Sequence, residues 1–406
     1  MAEITNNNTR VFYATQAITL GAIGSVLDPI DSWTTGNVDQ TGASTVTHGV
    51  QSVGVDTNFN LEQAFELGQL SLYENIEDIP DVNVSMQKFL DGYSLLYHLG
   101  ASFDGDGNII AATNTTLSGR ADTRADVRMV INATTEEAVT SGDAAVAELY
   151  CSGMYISSVS YTIPTDGTAT EDVTFVGNNK KWINDPLAGS DNVLLANDSG
   201  VNDAFGSIFG DDSPNAPDSH VLRREDVITG TSTNIQGYYT NIPTVIEGVN
   251  ADTSSGIAGT RNAALAGPLD TTNTHIVSFT CSTDLGREQI NQLGTRTPYN
   301  RYVTFPTEVT STIEMTATRG DNVDAVETAR ANLSDHEICI VLVDSTVLHL
   351  GKKNKISSIT YGGGDAGGGN ATVTYNFSNF NDLVVLHSGD PIRGSGQAGY
   401  WNDKFA

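Results

Sequence analysis

One stretch of about thirty residues occurs twice in this chain of 406 residues. Shifting residues 50–80 by 226 positions places them on residues 276–306, and eight of the 31 aligned positions are then identical without a gap. Unrelated segments would share roughly two positions at ordinary residue frequencies. A duplication therefore constrains the fold more than any other feature. The identical pairs are Ser52/Ser278, Thr57/Thr283, Glu62/Glu288, Gln63/Gln289, Leu67/Leu293, Gly68/Gly294, Tyr73/Tyr299 and Pro80/Pro306.

A second match follows further along the chain, at an offset of 200. Ile156–Tyr161 recurs as Ile356–Tyr361, and Val173–Phe175 recurs as Val373–Tyr375. The smaller offset means that the first copy carries additional chain between its two matching blocks. Two copies of so long a unit predict two similar domains, or one pseudo-symmetric body, rather than a solenoid.

The predicted boundaries follow from these offsets and from the composition between the copies. The first repeat covers residues 1–182, with an insertion at about 90–123. Residues 183–225 are rich in Asp, Asn, Gly, Ser and Pro, which is typical of an inserted loop or linker. The second repeat covers residues 226–406.

The residue pattern predicts a mainly β fold with one short helix in each repeat. Thr, Ser, Asn, Gly and Val are abundant, and alternation in Val82–Met86 and Val309–Met315 is typical of strands. Helices are predicted at Thr134–Val139 and Asp321–Leu333, from a capping residue and an apolar face respectively. The closing strands of each repeat are predicted to form hairpins. In the first repeat they are residues 144–151, 154–163 and 170–176, and in the second 337–343, 356–361 and 371–377.

Between the first two strands of each repeat, the sequence predicts little regular structure. Leu61–Leu67 has the spacing of one short helical turn, and Gln69–Ile79 is expected to be a long loop with Thr295–Phe305 as its counterpart. Long loops in compact domains are usually functional. Their equal length in both copies favours an interface element over an ordinary surface excursion.

The charge and cysteine content restrict the class of protein. Asp and Glu number 49 against 20 Lys and Arg, giving a net charge of −29. Such a charge has three interpretations: it keeps the protein soluble, it reflects adaptation to salt, or it forms a surface past which nucleic acid moves without sticking. The three cysteines lack metal-site spacing, so buried free thiols are expected. The sequence predicts no signal peptide and no membrane insertion.

No motif in the sequence predicts an enzyme, a cofactor or a metal. Asp104–Asn108 resembles the start of a calcium loop, but position 115 is threonine where the ligating glutamate would stand, and a hairpin turn accounts for it equally well. Gly362–Gly369 lacks the lysine and the following helix of a phosphate loop. The histidines have no metal-ligand spacing, and no carboxylate pair is singled out for hydrolysis.

The order of strand, long loop, strand, helix and hairpin strands resembles the tail tube protein of long-tailed bacteriophages, in its duplicated form. The residues that carry this resemblance are the block at 50–80 with its echo and the Pro-then-strand starts at Pro80–Met86 and Pro306–Met315. The resemblance implies two tandem tail-tube-like β-sandwich or barrel domains. Three chains would then form a pseudo-hexameric ring that stacks into a conduit for DNA ejection.

The resemblance also implies partners, a location and contact residues. The partners would be further copies of the chain, other tail proteins such as sheath, terminator or baseplate, and viral DNA passing without specific binding. The location would be the virion tail, after synthesis in the host cytoplasm. Alternatives are another virion component, such as a baseplate hub, tail terminator or capsid-associated protein, or a β-rich cell-surface binding module. The expected inter-ring or inter-subunit contacts are Gln69, Leu70, Leu72, Tyr73, Ile76, Ile79, Thr295, Arg296, Tyr299, Arg301, Tyr302 and Phe305.

Overall fold

The protein is mainly β in the part of the chain that its structure, a computed structural model, describes. Antiparallel strands supply nearly all the regular structure there. The described residues are 16–22, 44–46, 49–68, 72–90, 102–103, 109–110, 124–132, 145–184, short stretches between 221 and 246, 276–294, 298, 300–316, 338–342, 347–351, 353–363 and 369–386.

The strands are numbered in chain order. They are β1 Gln16–Ala22, β2 Ser44–Val46, β3 Val50–Asn58, β4 Leu61–Phe65, β5 Leu72–Glu77, β6 Asp81–Phe89, β7 Ser102–Phe103, β8 Ile109–Ile110, β9 Arg124–Asn132, β10 Ala145–Pro164, β11 Thr170–Gly177, β12 Asn179–Asn184, β13 Val227–Ile228, β14 Thr231–Ser232, β15 Ile242–Pro243, β16 Val245–Ile246, β17 Ile276–Asp284, β18 Arg287–Ile290, β19 Asn300–Val303, β20 Glu308–Thr316, β21 Ile338–Leu342, β22 Val347–His349, β23 Lys355–Gly362, β24 Thr372–Phe380 and β25 Val384–Leu386.

Eight of these strands form one continuous antiparallel sheet, which we call the main sheet. Its order is β3-β6-β11-β10-β17-β20-β24-β23. The first four strands come from the predicted first repeat and the last four from the second. We call these two halves the first unit and the second unit. The strands of one unit have the same order as those of the other, and the two units are joined edge to edge through β10 and β17.

The two units share irregularities of register as well as strand order. The β3–β6 pairing shifts between Val50 and Ser52, and the β17–β20 pairing shifts at the positions 226 residues later, between Ile276 and Ser278. The β10–β11 pairing shifts between Ile156 and Ser158, and the β23–β24 pairing shifts 200 residues later. Bulges at matching positions support the predicted duplication, which as an account of origin stays a prediction.

The alignment of the last strand in each unit needs a correction. Phe175 lies opposite Ile156, and Phe377 lies opposite Ile356. The structural counterpart of Phe175 is therefore Phe377, two residues beyond the Tyr375 that sequence similarity chose. A shift of two keeps the same face of the strand buried, so the apolar pattern could not distinguish the two registers.

Each unit is covered on one side by a second layer of strands. Residues 145–155 of β10 pair with β9 and residues 147–152 pair with β12, so this long strand passes from the main sheet into that layer. The sequence predicts two separate strands here, but Cys151–Met154 is a bulge within one strand, with Gly153 at a φ of 64°. Strands β21, β22 and β25 cover the second unit, but they belong to a separate sheet.

The hydrophobic core lies between the main sheet and these covering layers. Val84, Phe175 and Leu149 are buried together in the first unit. In the second, Ile313, Tyr375 and Leu348 belong to the same buried cluster. The predicted mainly β class is confirmed for the described residues, and their large antiparallel sheet does not close into a barrel.

The predicted loops and helical turn between the first two strands are wrong. Leu61–Phe65 forms strand β4 rather than a helical turn, and β4 pairs with β5, which occupies most of the predicted loop. In the second unit, β18 pairs with β19 in the same position. We call these hairpin 1 (residues 61–77) and hairpin 2 (residues 287–303). The predicted helices at Thr134–Val139 and Asp321–Leu333 and the turn Asp104–Asn108 lie outside the described residues.

Candidate assembly interface

The junction between the two units is an antiparallel pairing of β10 with β17. Its register runs from Ser158 opposite Asp284 to Pro164 opposite Ser278, with Tyr161 opposite Cys281 at the centre. Backbone bonds extend the pairing at both ends: Leu285 N–H donates to the Ser157 carbonyl at 2.7 Å, and Thr165 N–H donates to the Val277 carbonyl at 2.9 Å. The junction is therefore a full sheet interface.

The centre of this junction is buried. Tyr161 is fully buried, and its hydroxyl donates to Glu171 at 2.8 Å. Burial raises the pKa of the Cys281 thiol to about 12, against a small opposing effect of a hydrogen bond with the Tyr161 backbone. Cys151 is also a buried free thiol, which confirms that expectation for the two cysteines whose side chains are described.

The outer edges of the main sheet are the counterparts of the two strands that meet at the junction. At one end, β3 corresponds to β17 and pairs on one side only, with β6; at the other, β23 corresponds to β10 and pairs only with β24 among the described strands. Tyr361 of β23 is 51% exposed, whereas its counterpart Tyr161 is 0% exposed. Unpaired sheet edges of this kind invite pairing with another strand.

The face of the main sheet away from the core is mainly polar, although Phe89 and the exposed Phe380 also lie on it, and we call it the polar face. Ser282 and Thr310 contact each other across β17 and β20 at 3.0 Å, and the Thr312 hydroxyl donates to Asn376 at 2.8 Å. One continuous row across the sheet consists of Ser52, Gln87, Asp172, Ser160, Ser282, Thr310, Ser378 and Lys355. The next row consists of Thr170, Thr162, Thr280, Thr312, Asn376 and Ser358.

Hairpin 2 folds back onto the end of the first unit through a buried cation. The Arg301 side chain is 5% exposed, and its guanidinium forms a 2.5 Å ion pair with Asp81 at the start of β6. The same Asp81 oxygen accepts a hydrogen bond from the Gln289 amide at 2.7 Å. Arg301 Nε also donates to Asn178, at the end of β11, at 3.2 Å. These contacts tie both strands of hairpin 2 to the first unit.

A second set of contacts holds hairpin 2 at Tyr155 of β10. The Tyr155 hydroxyl donates to the Asn300 side-chain oxygen at 2.6 Å. The Arg287 guanidinium lies over the Tyr155 ring, 5.0 Å from its centroid, and Arg287 Nε donates to the Ile156 carbonyl at 2.8 Å. A cation over an aromatic face is attractive, more so where water is excluded.

Hairpin 1 has the same internal register as hairpin 2, but no described segment covers it. All four residue pairs of hairpin 2 recur in hairpin 1 at the offset of 226, for example Gln289 opposite Arg301 and Gln63 opposite Asn75. Every residue of β5 is exposed, and only Ala64 of β4 is not. The exposed apolar side chains in and beside this hairpin are Phe59, Leu61, Phe65, Leu67, Leu72, Tyr73 and Ile76.

The predicted contact residues fall into three groups. Leu72, Tyr73 and Ile76 lie exposed in hairpin 1 with Ile79 half-buried just beyond it, and Tyr302 and Phe305 are exposed in and after hairpin 2. Arg301 is instead buried against its own chain. Gln69, Leu70, Thr295, Arg296 and Tyr299 lie outside the described residues.

Sequence reasoning missed several residues of this interface. Asp81, Tyr155 and Arg287 make the contacts of hairpin 2, and Lys355 and Phe59 occupy positions equivalent to contact residues of that interface. Repeat alignment could have found the last two, by carrying each contact of one copy onto the other. The contacts themselves had no signal in the sequence, because they join residues more than 100 positions apart.

The described residues contain no group of three or more His, Cys, Asp or Glu side chains placed to hold a metal ion. A helix long and apolar enough to cross a membrane is likewise not found among them.

Comparison with known proteins gives structural neighbours only. No known family profile and no curated protein sequence matches the chain. It is similar to a chain of the sheath–tube complex of an extracellular contractile injection system, PVC, in the extended state, with 11% identity and a TM-score of 0.27 over 44% of this chain and 94% of that one. It is also similar to chains of the anti-feeding prophage baseplate (7% identity, TM-score 0.27, 44% and 99% coverage) and of that prophage's tube-terminating cap (12%, 0.26, 45% and 99%).

Proposed function

We propose that this chain is a structural virion protein, a subunit of a phage tail tube that assembles into rings around a central bore. The observation that carries the proposal is the β10–β17 junction, since the free edges of the main sheet are the counterparts of the two strands joined there. Repeating the junction between chains places β23 of one copy against β3 of the next. Such a head-to-tail contact closes into a ring and removes the exposed edges.

Three chains in a ring would give six similar units, the pseudo-hexamer that the resemblance implies. Copying the junction register places Tyr361 of one chain opposite Val55 of its neighbour, as Tyr161 lies opposite Cys281 within the chain. Tyr361 would then become buried like Tyr161. The same proposal accounts for a tandem duplication, because two units joined in one chain would pair through the same two kinds of edge that pair between chains.

The polar face would line the bore of such a ring. The opposite face is covered by the second layers of strands, so only the polar face remains available to an interior channel. Most of its side chains are hydroxyls and amides, with carboxylates such as Asp172 and Glu314 and with the amine of Lys355 at one edge. Carboxylates repel phosphate, and a net charge of −29 adds to that repulsion, so DNA would pass without adhering.

The hairpin tips would supply the axial contacts between rings. Leu67 and Leu293 are fully exposed at the two tips, although hairpin 2 is docked and hairpin 1 is not. A leucine at this position in both copies is consistent with a contact that each of the six units makes. Partners at the two ends of the stack would be other tail proteins, and the chain would reside in the virion tail after synthesis in the host cytoplasm.

Electron microscopy of the purified chain, averaged down the particle axis, tests the proposal. Stacked rings or tubes with three chains and six similar lobes are expected. Single rings that never stack would favour the second candidate, a terminator or baseplate hub, for which a free sheet edge serves equally well. A chain that stays monomeric at high concentration, even when seeded with tail or baseplate fragments, would contradict both.

An edge variant provides the matched control. Tyr361→Asp places a charge at the proposed β23–β3 contact, where its burial would be unfavourable. Since Tyr361 is half-exposed in the single chain, the variant should fold normally by circular dichroism and yet form no rings. Normal ring formation by this variant would place the contact elsewhere.

A further inference from the structure

We propose that hairpin 1 docks on the second unit of a neighbouring copy of this chain, with an ion pair between Glu74 and the neighbour's Lys355. The inference rests on the proposed ring. This contact surface is separate from the sheet edges, which would close the ring, and from the hairpin tips, which would join one ring to the next. The docked hairpin 2 is the template for the undocked hairpin 1.

The template can be transferred residue by residue because the registers match. In the hairpins, Asn300 corresponds to Glu74 and Gln289 to Gln63. On the receiving surfaces, Tyr155 corresponds to Lys355, since each lies one residue before the isoleucine at which the equivalent bulge begins. Asp81 corresponds to Glu308, because each begins the strand after its hairpin.

The transferred contacts are chemically complementary. The Tyr155–Asn300 hydrogen bond becomes a contact between Lys355 and Glu74, which carry opposite charges and are both exposed in the single chain. The Gln289–Asp81 hydrogen bond becomes a contact between Gln63 and Glu308, again an amide donating to a carboxylate. Glu308 already accepts a hydrogen bond from Ser378 at 2.7 Å, which orients its carboxylate.

The charges also distinguish the two docking sites. In the internal site the ion pair is Arg301–Asp81, and at the equivalent intermolecular position Asn75 replaces the arginine. Hairpin 2 placed on a second unit would bring Arg287 against Lys355, a repulsive contact, where Arg287 now stacks on Tyr155. Hairpin 1 has Leu61 at the position of Arg287, so the same contact is tolerated. Like charges placed against the wrong partner are a common device for specificity.

The exposed apolar residue next to hairpin 1 also fits docking on a neighbouring copy. Phe59 is 63% exposed, and its counterpart Leu285 is 4% exposed at the junction with the first unit. The Leu285 N–H donates to the Ser157 carbonyl, so Phe59 N–H would donate to the neighbour's Ser357 carbonyl. Docking would therefore bury the phenylalanine beside a newly formed backbone bond, which continues the β23–β3 pairing of the ring.

Carbodiimide cross-linking of the assembled native protein tests the inference, because this reagent joins a carboxylate and an amine only when they touch. Equal amounts of ¹⁵N-labelled and unlabelled chains are mixed before assembly, and the cross-linked peptides are identified by mass spectrometry. We expect a Glu74–Lys355 peptide in mixed-isotope form. Intact rings without this peptide, or with Glu74 joined to another lysine such as Lys353 or Lys180, would overturn the docking while leaving the ring proposal in place.

Charge reversal gives an independent measurement. Glu74→Lys and Lys355→Glu should each raise the critical concentration for assembly on the order of fivefold, the size of one exposed ion pair. The double variant should restore it, which a purely structural role of either residue would not do. Glu66→Lys makes the same change of charge as Glu74→Lys at an exposed residue of hairpin 1 that takes no part in the transferred contacts, and it therefore controls for charge alone. Failure of the native chain to form any ring would instead overturn the proposed function.

Discussion

Hairpin 1 and hairpin 2 have the same pairing register and the same backbone angle at one glycine, yet one is exposed and the other is docked. Gly68 has a φ of 88° and Gly294 a φ of 89°, and both leucines before them are fully exposed. The difference lies in what each hairpin can reach. The first unit is available to hairpin 2 within the chain, whereas the second unit is available to hairpin 1 only from another copy.

In the proposed ring, the internal docking of hairpin 2 would be the pattern for the docking of hairpin 1 between chains. The internal interface is made once, by folding, and its residues include a buried ion pair. The equivalent external residues are more polar and exposed, with Glu74 and Lys355 in place of Asn300 and Tyr155. Such a surface suits the proposed assembly, in which chains stay separate until rings form, since exposed ion pairs contribute little until many contacts act together.

The largest expected difference between the hairpins concerns Leu285 and Phe59. Leu285→Ala should lower the free energy of unfolding of the single chain by about 3 kcal/mol, the usual cost of truncating a buried leucine. Phe59→Ala should change it by less than about 0.5 kcal/mol, because the ring is exposed before assembly. Urea denaturation at a concentration below that of assembly measures both. Equal losses would mean that Phe59 is already packed in the single chain.

How far the sequence could predict these features depends on burial. Strands β6 and β20 were predictable because one face is buried and the apolar residues alternate, as in Val82, Val84 and Met86. Strands β4 and β5 were not, because a hairpin exposed on both faces leaves no alternation. Leu61, Ala64 and Phe65 then have helical spacing by coincidence.

The contacts of the candidate interface were predictable only in outline. The offset of 226 located the two segments that form the hairpins, although it predicted loops there, and the expected contact residues Tyr73, Ile76 and Tyr302 are exposed. It could not show that Arg301 is buried against Asp81, 220 positions away, because nothing in a single sequence couples them. Once the contacts of one interface are known, the repeat alignment becomes informative, because each of those contacts predicts an equivalent contact in the second interface.

A smaller difference is expected at Arg301 and its counterpart Asn75. Arg301→Asn makes hairpin 2 resemble hairpin 1 and leaves Asp81 with the Gln289 amide but without its cation. We expect a loss of about 2 kcal/mol in the free energy of unfolding, below the usual cost of breaking a buried ion pair because the Asp81 side chain is 30% exposed. Asn75→Ala should leave the single chain unchanged within about 0.5 kcal/mol. A stable Arg301→Asn variant would show that hairpin 2 is docked by packing alone.

The smallest effect is expected at the two turn glycines, and it separates strain from docking. A Cβ at Gly68 or Gly294 meets no neighbouring atom, so an alanine there suffers only from the positive φ, at about 1 kcal/mol. This strain lowers global stability only where the hairpin must stay formed for the rest to fold. Gly294→Ala should therefore reduce the free energy of unfolding by about 1 kcal/mol. Gly68→Ala should mainly speed amide exchange in hairpin 1, because an undocked hairpin opens locally.

After assembly, slow exchange in hairpin 1 of the native chain and an assembly defect in Gly68→Ala would mark its docking, whereas unchanged exchange would mean that it remains free in the ring.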